Sequence, residues 1–252
     1  MIAVTSSVTL KDRRIFELDN KCASLRTEKQ DDDYLQNDYT QVILDITFYE
    51  ENKLVDQEFP EDCSPFKIQQ LRQDLTEPEV LAGRLVPAQE VQSVLGLEVL
   101  ECLYWRRGVL IYMYCHTLHQ RKQWIKKNKA IFLKCLQEGI CYLMRMLHVR
   151  NSVKLNDGVV FHNSATANFL AEGIFSDTHM LMMMYIGEMC FWAVKYEDCS
   201  VDIGTQILHK YVLVCDAPLQ GQGWNTENAK EILTEPIVFY RCSVCVFAYK
   251  TL

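Results

Sequence analysis

The sequence predicts an all-α protein, either a single irregular bundle of about six to eight helices or a set of stacked helical hairpins. Three observations carry this. Apolar residues recur at spacings of three and four through most of residues 39–233. Six prolines and ten glycines in 252 residues leave long stretches without a helix breaker. The two longest periodic runs, 88–118 and 121–148, are separated by only a few residues, which favours an antiparallel hairpin. On this reading the helical domain spans 39–233, preceded by a weakly patterned segment, 1–38, and followed by a tail, 234–252, of β-like composition.

In chain order, the first helical period begins at Tyr39, with Val42, Ile43, Ile46 and Tyr49 on one face. Residues 50–64 read as a polar, acidic surface loop bracketed by Pro60 and Pro65. A short amphipathic helix over 66–75 presents Ile68, Leu71 and Leu75. Thr76 is placed to cap the next helix, with Pro78 in its first turn. The strongest helix runs over 88–118 through Leu97, Leu100, Tyr104, Gly108, Ile111, Cys115 and Leu118; Gly108 allows another helix to approach closely. Its partner over 121–148 carries Ile125, Phe132, Leu136, Leu143 and Leu147.

Asn156-Asp157-Gly158 marks a loop over 151–163, and a short helix over 165–171 follows. Ser176 opens a helix reaching to about Tyr196 that is apolar almost all round, which places it at the centre of the bundle. An amphipathic helix over 201–214 and a short one over 225–233 complete the set.

A net charge of −7 argues against nucleic acid as a partner. The charge is uneven: residues 119–150 hold eight Lys and Arg against one Glu, and residues 50–62 hold six acids against one Lys. Such faces either steer a charged partner or are simply solvated. The eleven cysteines are irregularly spaced and follow no basic, apolar leader at 1–12, so they read as reduced core thiols of a cytosolic protein. No stretch reads as a transmembrane segment; the most apolar one, 180–194, contains Glu188.

The chemical motifs are few. Phosphate loops, dinucleotide fingerprints, a G-x-S-x-G elbow and H-E-x-x-H are absent from the sequence. His116 and His119 stand at i, i+3 on a helix, but a zinc site needs further ligands and no matching pair lies elsewhere. Cys242-x-x-Cys245 is a lone pair without redox context. The residues therefore point to no catalytic group, no cofactor and no metal, and to work done by binding other proteins. An enzyme with an active site outside known motifs, or a peripheral membrane protein, is the alternative.

Two partner-binding candidates stand out. The first is the acidic stretch Glu50, Glu51, Asp56, Glu58, Glu61 and Asp62 around Phe59, an aromatic that reads either as exposed among like charges for a basic partner or as folded back onto the helix that starts near Phe66. The second is Trp105, Arg106 and Arg107, residue types enriched among interface hot spots, which read equally as solvated arginines beside a core Tyr104. The cationic run 121–129, with Trp124 inside it, reads either as a solvated face or as a surface for anionic lipid.

The stretches QVILDITFYEENKLVDQEFPEDCS (41–64), LECLYWRRGVLIYMYCHTL (100–118), GIFSDTHMLMMMYIGEMCFWAVKY (173–196) and WNTENAKEIL (224–233) resemble the Rab-seven-interacting subunit family of the Mon–Ccz guanine-nucleotide exchange complex. The resemblance covers roughly 39–233 and leaves the two ends outside it. It implies a non-enzymatic adaptor that binds a GDP-bound late-endosomal Rab GTPase and promotes its contact with the Mon–Ccz exchange factor. It further implies a part in that Rab's stability and localisation, and in autophagic removal of damaged mitochondria. It assigns no functional residues.

Overall fold

A computed structural model describes residues 32–86, 90–149, 176–197, 202–216, 219 and 221–235. These are helical, with no strand among the described residues: α1 (Asp32–Asp56), α2 (Ser64–Asp74), α3 (Glu77–Leu85), α4 (Val91–Leu95), α5 (Leu97–Gln120), α6 (Lys122–Val149), α7 (Asp177–Glu197), α8 (Asp202–Asp216) and α9 (Glu227–Thr234). The all-α class read from the period is the class observed. The loop read at 151–163, the helix at 165–171 and the tail from 236 lie outside the described residues. The chain divides between Leu103 and Tyr104 into two compact units.

In the first unit α1 is the long element, and α2, α3 and α4 pack against it. Tyr39, Val42 and Ile43 form a buried cluster with Ile46 of the same helix and Leu81 of α3. The helix runs further than the sequence suggests: residues 50–56, read as loop, are its last two turns. Apolar Leu54, buried on the inner face, carries the period through the acids.

Two hydrogen bonds terminate α1. The Phe59 N–H donates to the Leu54 carbonyl and the Glu58 N–H to the Val55 carbonyl, both at 2.9 Å. This nested pair is a Schellman motif, in which the residue after the cap turns left-handed. Here that residue is Glu58, at φ 52, where glycine is the usual occupant. The motif packs its following residue back against the helix, and Phe59 is accordingly only 2% exposed.

Thr76 precedes α3 as the sequence suggests, yet it does not cap it. Its hydroxyl donates backwards to the Arg72 carbonyl at 2.7 Å, extending α2. The single helix read over 88–118 is instead two. Gly96, at φ 78 and ψ 153, separates α4 from α5, a conformation that favours glycine.

In the second unit α5 and α6 form the expected antiparallel hairpin, with Arg121 alone between them. A Cβ built on Gly108 would lie 2.4 Å from Leu143 Cδ2, and one on Gly139 would lie 3.0 Å from Ile111 Cγ2. The partner number falls as the residue number rises, which defines the antiparallel register. Helix α7 is the centre, packed by α6, α8 and α9. Its Met180, Met182, Met183, Ile186, Met189 and Trp192 are buried, as its all-round apolar character predicts. Helices α7 and α8 approach through glycine from both sides: Gly187 meets Leu208, and Gly204 meets Cys190. Helix α9 closes the unit with buried Ala229 and a hydrogen bond from Tyr211 to the Asn225 carbonyl at 2.9 Å.

Candidate interaction surfaces

The acidic segment of the first unit divides in three. Glu50 and Glu51 are half-buried on α1. Asp56, Glu58, Glu61 and Asp62 are exposed around the turn that joins α1 to α2. Of the two readings of Phe59, the exposed docking aromatic is overturned: the Schellman turn buries the ring. Its place as an exposed ring falls to Phe66, 73% exposed in the first turn of α2, four residues after Asp62. Phe66 escaped the sequence reading because it was taken into the amphipathic helix. Ile68, Leu71 and Leu75 supply the buried face, and Phe66 does not share it. Four carboxylates with an exposed ring suit a basic partner surface that offers an apolar depression.

The Trp105–Arg107 group also separates. Arg107 is 1% exposed, with its guanidinium carbon 4.7 Å from the Tyr104 ring centre and 5.0 Å from that of Tyr142. A buried cation held over two aromatic faces serves packing rather than a partner, so neither sequence reading of Arg107 holds. Arg106 is half-buried. Trp105, also half-buried, stacks on Tyr185 of α7 with ring centres 6.0 Å apart.

That stack begins a ladder of rings that the sequence did not reveal. Tyr185 stacks on Tyr112 at 3.8 Å, Tyr112 on Trp192 at 5.9 Å and Trp192 on His119 at 4.9 Å. Tyr196 then meets His119 and Phe132 edge-on. The residues lie at intervals of three, four or seven along α5 and α7, so each helix presents its rings along one stripe. Such contacts add to area burial and align the two helices.

The ladder holds one buried carboxylate. Glu188 accepts from the Tyr112 hydroxyl at 2.5 Å and from the Asn228 side-chain amide, which ties α5 and α9 to α7. Burial, then the Glu188 charge, pushes the Tyr112 phenol well above its ordinary value, so it stays a hydrogen-bond donor. Burial, followed by Lys195, His116 and Lys122, lowers the His119 pKa. His119 is thus a neutral ring, with Nδ1 3.3 Å from the Tyr196 hydroxyl.

Among the described residues no three His, Cys, Asp or Glu side chains are grouped to hold a metal ion, and His116 and His119 belong to the aromatic ladder. Cys242 and Cys245 lie outside the described residues. No helix among the described residues is long and apolar enough to cross a membrane.

The fold and its surfaces define a class: a helical protein whose distinctive exposed features are a carboxylate-rich turn beside an exposed aromatic ring and a lysine-rich helix. The family described as RAB7A-interacting MON1-CCZ1 complex subunit 1 matches residues 4–202 and 199–236. Its relative from Danio rerio is 77% identical over 88% of this chain and 95% of its own length. Those from Mus musculus and Homo sapiens are 47% and 45% identical, over 78% and 81% of this chain and 75% and 78% of their own lengths. All three relatives carry the family's description as their name. No solved structure matches. The chain belongs to the RAB7A-interacting MON1-CCZ1 complex subunit 1 family.

Proposed function

We propose that this chain is a cytosolic adaptor that binds RAB7A and the MON1-CCZ1 complex, and that brings the GDP-bound GTPase to its exchange factor. Membership of a family whose relatives carry that name, at 77% identity to one of them, is the observation that supports this most. Holding two partners together raises their effective concentration and needs no chemical step in the adaptor. Preference for the GDP form follows if the adaptor touches the switch segments, which differ between nucleotide states. By promoting exchange, the chain supports the stability and localisation of the GTPase and so the autophagic removal of damaged mitochondria.

The docking surface in this reading is the α1–α2 turn, with Asp56, Glu58, Glu61 and Asp62 as the steering charges and Phe66 as the anchoring ring. Purified protein on beads is offered RAB7A loaded with GDP or with a non-hydrolysable GTP analogue, with and without MON1-CCZ1. Retention of the GDP form, and faster nucleotide release when all components are present, is the expected result. Equal retention of both forms removes the state preference, and no retention of either GTPase or complex removes the adaptor reading. Phe66→Ala lowers retention if the α1–α2 turn is the contact; full retention by a folded Phe66→Ala protein moves the contact elsewhere.

A further inference from the structure

The cationic run at the start of α6 folds into one exposed face. Lys122, Lys126, Lys127, Lys129 and Lys134 are all exposed, while Ile125, Phe132 and Leu136 are buried on the opposite side. From Arg121 to Gln137 the sequence holds six cations and no acid. None of the five lysines forms an ion pair among the described residues. In the midst of them Ile131 is 51% exposed, four residues after Lys127 and three before Lys134. Helix α6 bends at Asn128 (φ −126, ψ 32), whose amide donates to the Trp124 carbonyl, and the lysines stand on both sides of the bend.

Stability does not account for this arrangement. Cations at a helix N-terminus oppose its dipole, and like charges four residues apart repel. An exposed isoleucine among them gains nothing from burial. The positive field extends beyond α6, since Lys122 acts on His119 together with Lys195 from the end of α7. An anionic surface laid against this face relieves all three costs.

We propose that the exposed face of the first half of α6 docks on an anionic lipid membrane, with the lysines at the headgroups and Ile131 at the boundary with the acyl chains. The identity of the cations selects lipid over protein. Protein interfaces are enriched in arginine, whose planar fork reads a fixed carboxylate pair, and are depleted in lysine. A fluid layer of headgroups imposes no fixed geometry and suits flexible point charges, each adding to the affinity for an anionic leaflet. The chain's net charge of −7 makes the local patch selective, because anionic lipid repels the rest of the surface.

Full-length protein is sedimented with vesicles of phosphatidylcholine alone and of phosphatidylcholine mixed with phosphatidylserine, at low and high salt. The expected result is binding to the mixed vesicles only, and its loss at high salt. The triple variant Lys126→Ala, Lys127→Ala, Lys129→Ala lowers partitioning by roughly a hundredfold, at about fivefold per lysine. Its circular dichroism and melting temperature stay at the parent's. Ile131→Ala lowers partitioning by a smaller factor that salt does not change. A control triple, Lys53→Ala, Lys67→Ala, Arg84→Ala, removes the same charge from the first unit and keeps full binding. Equal binding to both vesicle types, or an equal loss in the two triples, overturns the proposal. So does capture by a polyglutamate resin without any vesicle binding, which assigns the face to an acidic protein.

Discussion

The acidic stretch 50–62 and the cationic stretch 121–134 look alike in sequence: each is a dense run of one sign with an aromatic inside it. They fold in opposite ways. The acidic stretch crosses a helix end, and the Schellman turn that satisfies the last carbonyls of α1 carries Phe59 into the interior. The cationic stretch lies within α6, bent at Asn128 but helical on both sides of it, where the 3.6-residue period sorts Ile125 and Phe132 inward and the lysines outward. A charge run inside a helix thus yields a continuous face, whereas one across a cap yields scattered charges and a hidden ring. Whether an aromatic among charges is buried or exposed is decided by where the helix stops.

Breaking the comparison at its buried end gives the largest effect. Phe59→Ala is expected to destabilise the protein by about 3–5 kcal/mol, as is Trp192→Ala on α7, read as a lowered midpoint in chemical denaturation. Phe66→Ala should leave that midpoint within about 0.5 kcal/mol of the parent, because its ring is exposed. Equal effects at Phe59 and Phe66 would remove the distinction between them.

Backbone substitutions come next. Gly187→Ala would set a Cβ 2.3 Å from Leu208 and forces α7 and α8 apart, at about 1–3 kcal/mol. Glu58→Gly works in the other direction. It relieves the left-handed residue at φ 52 and is expected to raise stability by up to about 1 kcal/mol, read as a raised denaturation midpoint.

Charge changes have the smallest effect on folding. Glu58→Lys with Glu61→Lys should shift stability by less than about 0.5 kcal/mol while slowing association with a basic partner, an effect that added salt imitates. Unchanged association rates in a folded double variant would dismiss the acidic turn as a steering surface. His119 sets a weak pH dependence. Its folded pKa is lowered, so the unfolded chain binds more protons; its contribution is complete above the ordinary value near 6.5 and is lost as pH falls from there through the folded pKa. His119→Phe should flatten that part of the melting-temperature profile, and an unaltered slope would assign it to other groups.

Much of the fold was legible because helices announce themselves locally. The apolar period located α2, α6, α7, α8 and α9 to within a few residues, the near-absence of a linker gave the α5–α6 hairpin, and Gly108 marked a close helix approach. Gly96 was visible too, but only its positive φ makes it a break, and a glycine inside a periodic run also fits an unbroken helix. The candidate sites were far less legible. Rings from α5 and α7 fall into register through pairings 73 to 80 residues apart along the chain, as in Tyr112–Tyr185 and Trp105–Tyr185.

By itself, then, the sequence determined most of the described helices and the apolar face of each, since both follow from side chains within a turn or two of one another. Tertiary structure alone decided that Arg107 lies buried between Tyr104 and Tyr142, that Phe59 turns inward while Phe66 stays out, and that Glu188 finds Tyr112 and Asn228. Burial and pairing are set by elements distant in the chain, and a local pattern carries no information about which of them will arrive.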